Sequence, residues 1–483
     1  RTRVAATGAP APIRGIRFQG AQAPGPVAKA AEGFLGRTAT RETLLELAGV
    51  LSRAYEKSEV ALYTVAIPEQ DFSSGTVTVL LTEGRIARAE VKGRPGGNRQ
   101  LRARMAPLLA EAPLSRATFQ RQFSLMRAIP GLTFESDFAD PANDGALTLT
   151  VTPKQKRTRF SGGFSNRGVD LLGDGQWDAK GEFYGLGVDG DQFTLAASAA
   201  SDLRRYRFAS AAYALPIGSR GLTLTANAGY FETRLRGIPV TGTAKLGGVS
   251  LGYPLVRDFH RAVDLSLGVD GIDSDNAVFG NLVASERTRA VRGGASFTDV
   301  REKRTIAFGG SLSHGIGGLG ARTTAPFAEA GFFKVNGSAY AAQGIGPRVA
   351  IRVSAAGQYS RDRLPAAERF SVGGENWGRA FDTGFITADR GVGALGEVAV
   401  RPVKGDRFGN SEVYAFVDGA WVGIEGRGVP GRADYSLGSA GIGTRLRFRD
   451  KAELGLEAAH AIESPLPGMA DDWRFSVMWR LSM

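Results

Sequence analysis

Two patterns of apolar positions divide the chain. From residue 13 to about 156, period-two segments alternate with helical ones. In "RETLLELAGVLSRAY", Leu44, Leu47, Ala48, Leu51 and Tyr55 fall on one helical face, and Thr40 stands where an N-cap belongs. Around this helix, "IRGIRFQGA", "ALYTVAIPEQ" and "GTVTVLLTEG" read as strands. The order restarts at "RIARAEVKG", passes through helices at "RQLRARMAPLLAEA" and "RATFQRQFSLMRAI", and ends in "ALTLTVTP", where Leu147, Leu149 and Val151 alternate. The region therefore predicts two copies of a strand–helix–helix–strand–strand unit, each of about 70 residues. An edge strand in each unit offers unpaired backbone groups to another chain.

From residue 158 to the end the chain is almost purely strand and turn. "GLTLTANAGY" sets Leu222, Leu224, Ala226, Ala228 and Tyr230 on one face. "AVDLSLGVDG" sets Val263, Leu265, Leu267 and Val269 opposite Asp264, Ser266 and Asp270. "WRFSVMWRLSM" sets Trp473, Phe475, Val477, Trp479, Leu481 and Met483 opposite Arg474, Ser476, Arg480 and Ser482. We count about sixteen such segments, an even number as bacterial membrane barrels require. A sandwich or propeller alternates too, with its apolar face inside. Two features favour the inverted arrangement. Small residues crowd the inner faces, and aromatics gather at segment ends, as in "GYF" 229–231 and "DDWRF" 471–475. The predicted fold is thus a pair of α+β domains followed by an all-β transmembrane barrel of about 16 antiparallel strands.

Composition adds limits. No run of about 18 apolar residues exists, so no transmembrane helix is expected, and a barrel needs none. The 483 residues include no cysteine, which excludes disulfides and thiol chemistry. The chain begins with Arg, which suggests a targeting segment removed in maturation. The net charge of +12 comes from scattered Lys and Arg, a pattern of solvated surface rather than of a nucleic-acid reader.

Catalytic and metal chemistry find little support. His260, His314 and His460 lie far apart, with no metal-ligand spacing, and no Gly-x-Ser-x-Gly elbow occurs. Ser313 and His314 are adjacent on a strand and so point to opposite faces. His460 shares a face with Leu454 on the barrel surface. The glycine-rich "FSVGGENWGRAFDTGF" (370–385) lacks the Lys-Ser/Thr and following helix of a phosphate loop. We expect no enzyme activity, no cofactor and no metal.

These residues resemble the two-partner secretion transporters of bacterial outer membranes, the filamentous-haemagglutinin and haemolysin exporters, within the outer-membrane assembly-factor superfamily. The resemblance covers essentially the whole chain. "AIPEQDFSSGTVTVLLTEGRIARAEVKG" (66–93) is similar to the segment that joins the family's two periplasmic POTRA domains, with Pro68 and Gln70 in the Pro-x-Gln element and Glu83, Gly84 and Arg85 in Glu-Gly-Arg-Ile. "YALPIGSRGLTLTANAGYFETRLRG", "LGYPLVRD" and "GDQFTL" look like family barrel segments. "RFSVGGENWGRAF" resembles the inward-folded loop whose tip is usually Val-Arg-Gly-Tyr/Phe, and here reads Gly378-Arg379-Ala380-Phe381. "YAFVDGAWV" resembles a Phe-x-Asp-x-Gly strand element, with Asp418 followed at once by glycine. The loop falls between the eleventh and twelfth predicted strands and Asp418 in the thirteenth, as in the family.

The resemblance implies an N-terminal extension (1–12), POTRA domains at 13–84 and 85–156, and a barrel at 157–483 with an inward loop at 363–390. The family's N-terminal plug helix is expected to be absent or trimmed, and the C-terminal Phe of the family is Met483 here. The implied function is export of an unfolded passenger protein, captured through its N-terminal secretion domain by the POTRA pair. The chain is expected in the outer membrane, with its POTRA domains in the periplasm, lipid around the barrel, and barrel-assembly machinery as its partner in biogenesis. An assembly factor of the same superfamily is the alternative. Arg379 at the loop tip is expected to pair with Asp418 on the barrel wall, with Gly373 and Gly374 making the loop pliable.

Overall fold

The computed structural model describes the chain apart from residues 1, 5–10, 94–97, 141, 143, 325–326, 404, 406, 428–430 and 466–472. Two compact units emerge, one built mainly from residues 1–156 and the other mainly from 157–483.

The first unit contains two small sheets. One has the order β1-β3-β4-β2, formed by β1 (Thr2–Val4), β2 (Gly15–Gly20), β3 (Tyr63–Ile67) and β4 (Thr76–Glu83). Helices α1 (Gly25–Ala31) and α2 (Arg41–Glu56) cover it. The expected face of α2 is its buried one: Leu44, Leu47, Ala48, Leu51 and Tyr55 are fully enclosed against Val65, Val77, Val79 and Leu81. Thr40 caps the helix, accepting the Thr43 N–H at 3.2 Å. The second sheet, β5-β7-β6, comprises β5 (Arg85–Val91), β6 (Leu132–Ala139) and β7 (Ala146–Gln155), packed on α3 (Arg99–Met105) and α4 (Arg116–Arg127). The pattern over 99–112 predicted one long helix, but α3 stops at Met105 and a single tighter turn follows. Pro107 explains this, since it has no N–H to continue the α ladder and its ring crowds the carbonyl four residues back.

Residues 1–12, expected to be an extension, contribute β1, which pairs in parallel with β3 from Thr2↔Val65 to Val4↔Ile67. One edge of the first sheet is therefore taken by the chain itself. The remaining outer strands of the two sheets are β2, β5 and β6.

The second unit is a closed antiparallel barrel of sixteen strands. They are β8 (Thr158–Ser165), β9 (Gln176–Tyr184), β10 (Gln192–Ala200), β11 (Tyr206–Ile217), β12 (Leu222–Arg234), β13 (Val240–Arg257), β14 (Arg261–Val278), β15 (Asn281–Arg301), β16 (Arg304–Gly315), β17 (Phe333–Ile345), β18 (Val349–Ser360), β21 (Arg390–Val400), β22 (Glu412–Glu425), β23 (Arg432–Phe448), β24 (Ala452–Glu463) and β25 (Trp473–Ser482). Two short strands, β19 (Phe370–Val372) and β20 (Ile386–Ala388), pair with each other in the long connection between β18 and β21. The barrel closes where β25 meets β8.

The alternation is inverted relative to a soluble protein. Leu265, Leu267 and Val269 are 39%, 59% and 53% exposed, whereas Asp270 turns inward to Arg292. On β25, Trp473, Phe475, Val477 and Leu481 face out, as does Met483 just beyond it, while Ser476 is buried and Arg474 is partly buried. Asp471 and Asp472 of the expected aromatic cluster lie outside the described residues. Inside, Asn227, Gly248, Ser250, Ser266 and Gly268 help line a space of about 370 Å³. Ser313 turns inward to Arg292 while His314 is exposed, and His460 stacks on Trp473 at 5.1 Å. Among the described residues, no helix is long and apolar enough to cross a membrane.

Candidate functional site

The connection between β18 and β21 folds against the inner wall. Val372, Phe381 and Ala388 are buried against Ala420, Val422, Leu437 and Ala461 on β22, β23 and β24. Polar contacts hold the connection at three places. At its start, Glu368 is 2% exposed and accepts from Arg292 at 2.6 Å and Lys334 at 2.7 Å. At its end, buried Asp389 accepts the Leu364 N–H at 2.7 Å, the Glu425 N–H at 2.9 Å and Arg427 at 2.8 Å.

The third place is the tip. Gly378 has φ +77°, where an L side chain is strained, and a Cβ would stand 2.6 Å from Leu437. The glycine standing in the family's valine position is therefore required by this backbone. Gly373 and Gly374 also take positive φ, and the Gly373 and Gly374 N–H groups donate to Trp377 O and Gly378 O. These glycines shape a tight bend closed by its own hydrogen bonds.

Asp418 lies at the tip, but not as the guanidinium's partner. Its carboxylate accepts the Gly378 N–H at 2.5 Å, the Arg379 N–H at 3.4 Å and the Ser439 hydroxyl at 2.9 Å. The expected bidentate Arg379–Asp418 bond does not form. The Arg379 side chain runs past Asp418 to Glu457 on β24, donating at 2.9 Å. It also donates through Nε to Glu375 O at 2.9 Å and lies 4.5 Å over the Phe416 ring. The physical reason is that Asp418 is already satisfied by tip amides and a hydroxyl, while Glu457 supplies an enclosed carboxylate within reach. Ala380 donates its N–H to Ser439 Oγ at 3.3 Å, and Phe381 is 8% exposed.

Glu457 was missed by sequence reasoning. It also accepts from Arg167 at 2.5 Å and from the Tyr414 hydroxyl at 2.7 Å, and its side chain is 3% exposed. Its one sequence signal is a charge on the inward side of "AELGLEAAHA", opposite Leu456 and Ala458. A further buried group spans β18 and β21–β23, where Glu397 pairs with Arg352 and Arg445 at 2.7 Å and fully buried Glu412 accepts Arg352 at 2.6 Å. Glu457, Glu397 and Glu412 each have a basic counter-charge, as burial demands, whereas Asp418 is satisfied by backbone N–H groups and a hydroxyl.

The joint residues separate into two sets. The Gln70 side-chain amide accepts the Thr78 N–H at 2.6 Å and donates to Thr78 O at 2.9 Å, acting as one extra rung beside β4, and also donates to Pro68 O at 3.2 Å. Glu83, Gly84 and Arg85 are the passage between sheets. Tyr55 donates to Glu83 at 3.3 Å, the Gly84 N–H to Leu62 O at 2.8 Å, and the Arg85 N–H to Gly145 O at 2.8 Å. Burial, then the Glu83 charge, pushes the Tyr55 phenol up. Arg116, also missed, spans the joint by donating to Tyr55 O, Ser58 O and Val60 O at 2.9–3.0 Å.

An apolar-outside barrel with an arginine-tipped loop folded against its inner wall, in a chain that also carries a strand–helix domain, defines a transmembrane β-barrel protein of the outer-membrane kind. Residues 145–446 match the family described as "Haemolysin secretion/activation protein ShlB/FhaC/HecB", and residues 11–84 match "POTRA domain, ShlB-type". The chain belongs to this haemolysin secretion/activation family of two-partner secretion transporters, whose partner is a secreted passenger protein. It resides in the outer membrane with its POTRA domain in the periplasm. Among solved structures, CdiB from Escherichia coli is similar at 18% identity, covering 99% of this chain and 91% of that one, with a TM-score of 0.75. CdiB from Acinetobacter baumannii matches at 16% identity, 98% and 90% coverage and a TM-score of 0.66. BamA from Haemophilus ducreyi, lacking POTRA domains 1–3, matches at 14% identity, 98% and 99% coverage and a TM-score of 0.59. No curated protein sequence matches.

Proposed function

We propose that this transporter captures an unfolded passenger on its N-terminal unit and passes it through the barrel lumen to the cell surface. The reading includes a second POTRA domain at 85–156, following the first at 13–84. The observation that carries it is the lumen, whose loop is secured by ion pairs at its start, end and tip beside an apolar contact with the wall. Charged and polar anchors exchange with water at lower cost than a close-packed interface.

Capture is supported by the outer strands β2, β5 and β6, whose edges suit β-augmentation by an extended client. Backbone pairing supplies affinity with little sequence demand, which fits a passenger that is unfolded when bound. Arg379 and Asp418 are assigned the task of holding the loop in register, by side chain and backbone respectively. No residue is assigned a catalytic role.

The test is co-expression with a large secreted protein encoded beside this chain, scoring the passenger outside the cell. Passenger at the surface only when the chain is present supports export. Unchanged passenger with a general fall in outer-membrane proteins on depletion points instead to an assembly factor.

A further inference from the structure

The barrel is closed weakly at one place. β25 pairs with β8 over five residues, Met478↔Ser165 to Ser482↔Ser161, extended by main-chain bonds between Phe160 and Met483 at one end and from the Asn166 N–H to Val477 O at the other, while β11 and β12 pair over twelve. Towards Trp473, β25 has run past the end of β8, and the turn after β8 takes over. Asn166 donates its side-chain amide to Phe475 O at 3.0 Å and accepts the Val477 N–H at 2.7 Å.

The lumenal loop reaches this same place. Asp382 accepts Arg474 of β25 at 2.7 Å. Thr383 donates its hydroxyl to Arg167 O, two residues after β8, at 2.6 Å. Arg474 also donates to Gly168 O at 3.1 Å, so one side chain touches the loop and the opposite side of the seam. Arg167 extends the connection inward to Glu457, where it meets Arg379. The loop therefore grips both sides of the closing seam and is tied through Glu457 to its own tip.

We propose that Asp382 and Thr383 form a clasp over the β25–β8 seam, with Arg167, Arg474 and Glu457 as positioning residues. The clasp replaces the ladder hydrogen bonds that the short β8 does not supply. Displacing the tip breaks these bonds together, so movement of the loop and loosening of the seam are coupled. Its role during export rests on the transporter reading. The clasp itself is measured without passenger, so failure of the secretion assay leaves it standing.

The experiment is hydrogen exchange on the full chain in lipid nanodiscs, comparing the parent with Asp382→Asn/Thr383→Val and with Glu232→Gln as a control at a surface pair. Exchange of residues 161–167 and 473–479 is expected to rise about tenfold in the double variant and in no other hairpin. Folding is confirmed by heat-modifiable migration. If the double variant does not assemble, Thr383→Val alone carries the test, with a smaller rise at the same residues. Ser165→Cys/Met478→Cys, placed at paired positions in a chain without other cysteines, is expected to cancel the rise once oxidised. Exchange equal to the parent in a folded variant, or an equal rise in β11–β12, overturns the proposal.

Discussion

Enclosed charges at the loop tip answer one another residue by residue. Glu457 takes three donors, from Arg167, Arg379 and Tyr414, so no single loss leaves it bare. Removing Glu457 has the opposite effect, stranding Arg379 where only Glu375 O and the more distant Glu397 remain, the latter at 4.0 Å. Breaking a buried pair in this direction costs about 3–5 kcal/mol. Glu457→Gln and Arg379→Ala are both expected to lower passenger secretion by about tenfold or more while the barrel still assembles. Asp418→Ala is expected to do the same by releasing two backbone donors. Normal secretion by Arg379→Ala and Asp418→Ala together removes the assigned role. In the periplasmic unit, burial pushes the Glu111 carboxyl up, but bonds from Thr118 (2.6 Å) and Ser115 (2.9 Å) outweigh it and hold it below the usual range. Its stabilising contribution is therefore complete above the ordinary carboxylate value, about 4.3, and is lost as pH falls through the depressed one. Acidification through that window should raise exchange at the start of α4, and Glu111→Gln should abolish the pH dependence.

At the scale of elements, periodicity made most of the architecture readable. The period of two in "AVDLSLGVDG" assigns Leu265, Leu267 and Val269 to one face, and the structure puts that face outward. The α2 stripe is legible for the same reason, because a single helix face is covered by a single sheet. Contacts across the barrel were not legible. Arg379 and Glu457 are 78 residues apart, and no local pattern distinguishes Glu457 from Glu453 as the receiving carboxylate. Residues 2–4 joined the first sheet unforeseen, since three residues are too few to show a period. The joint yields a prediction at this scale. Arg116 holds three carbonyls of the preceding domain, and bonds from a charged donor contribute about 1.5–3 kcal/mol. Arg116→Ala should lower the thermal midpoint of the N-terminal unit and increase exchange at residues 55–60, leaving the barrel strands unchanged.

For the whole molecule, the structure shows a placement of charge that composition did not provide. Many arginines of the +12 chain, among them Arg292, Arg352, Arg379 and Arg445, are engaged in ion pairs on the inner wall. Each of these arginines is neutralised by a carboxylate, so the net charge of +12 arises from basic residues outside these pairs, while the outer wall is apolar. The central claim is that the passenger travels through that lumen. Ser266 and Leu267 are neighbours on β14, and Leu267 faces outward at 59% exposure while Ser266 shares the inward parity of Asp270, which meets Arg292. The most direct measurement places a photo-crosslinking residue at each position in turn and stalls a passenger in transit with a folded domain at its end. The account predicts a passenger adduct from position 266 and none from 267. Adducts from 267, or from neither position while the stalled passenger is exposed at the cell surface, would contradict it.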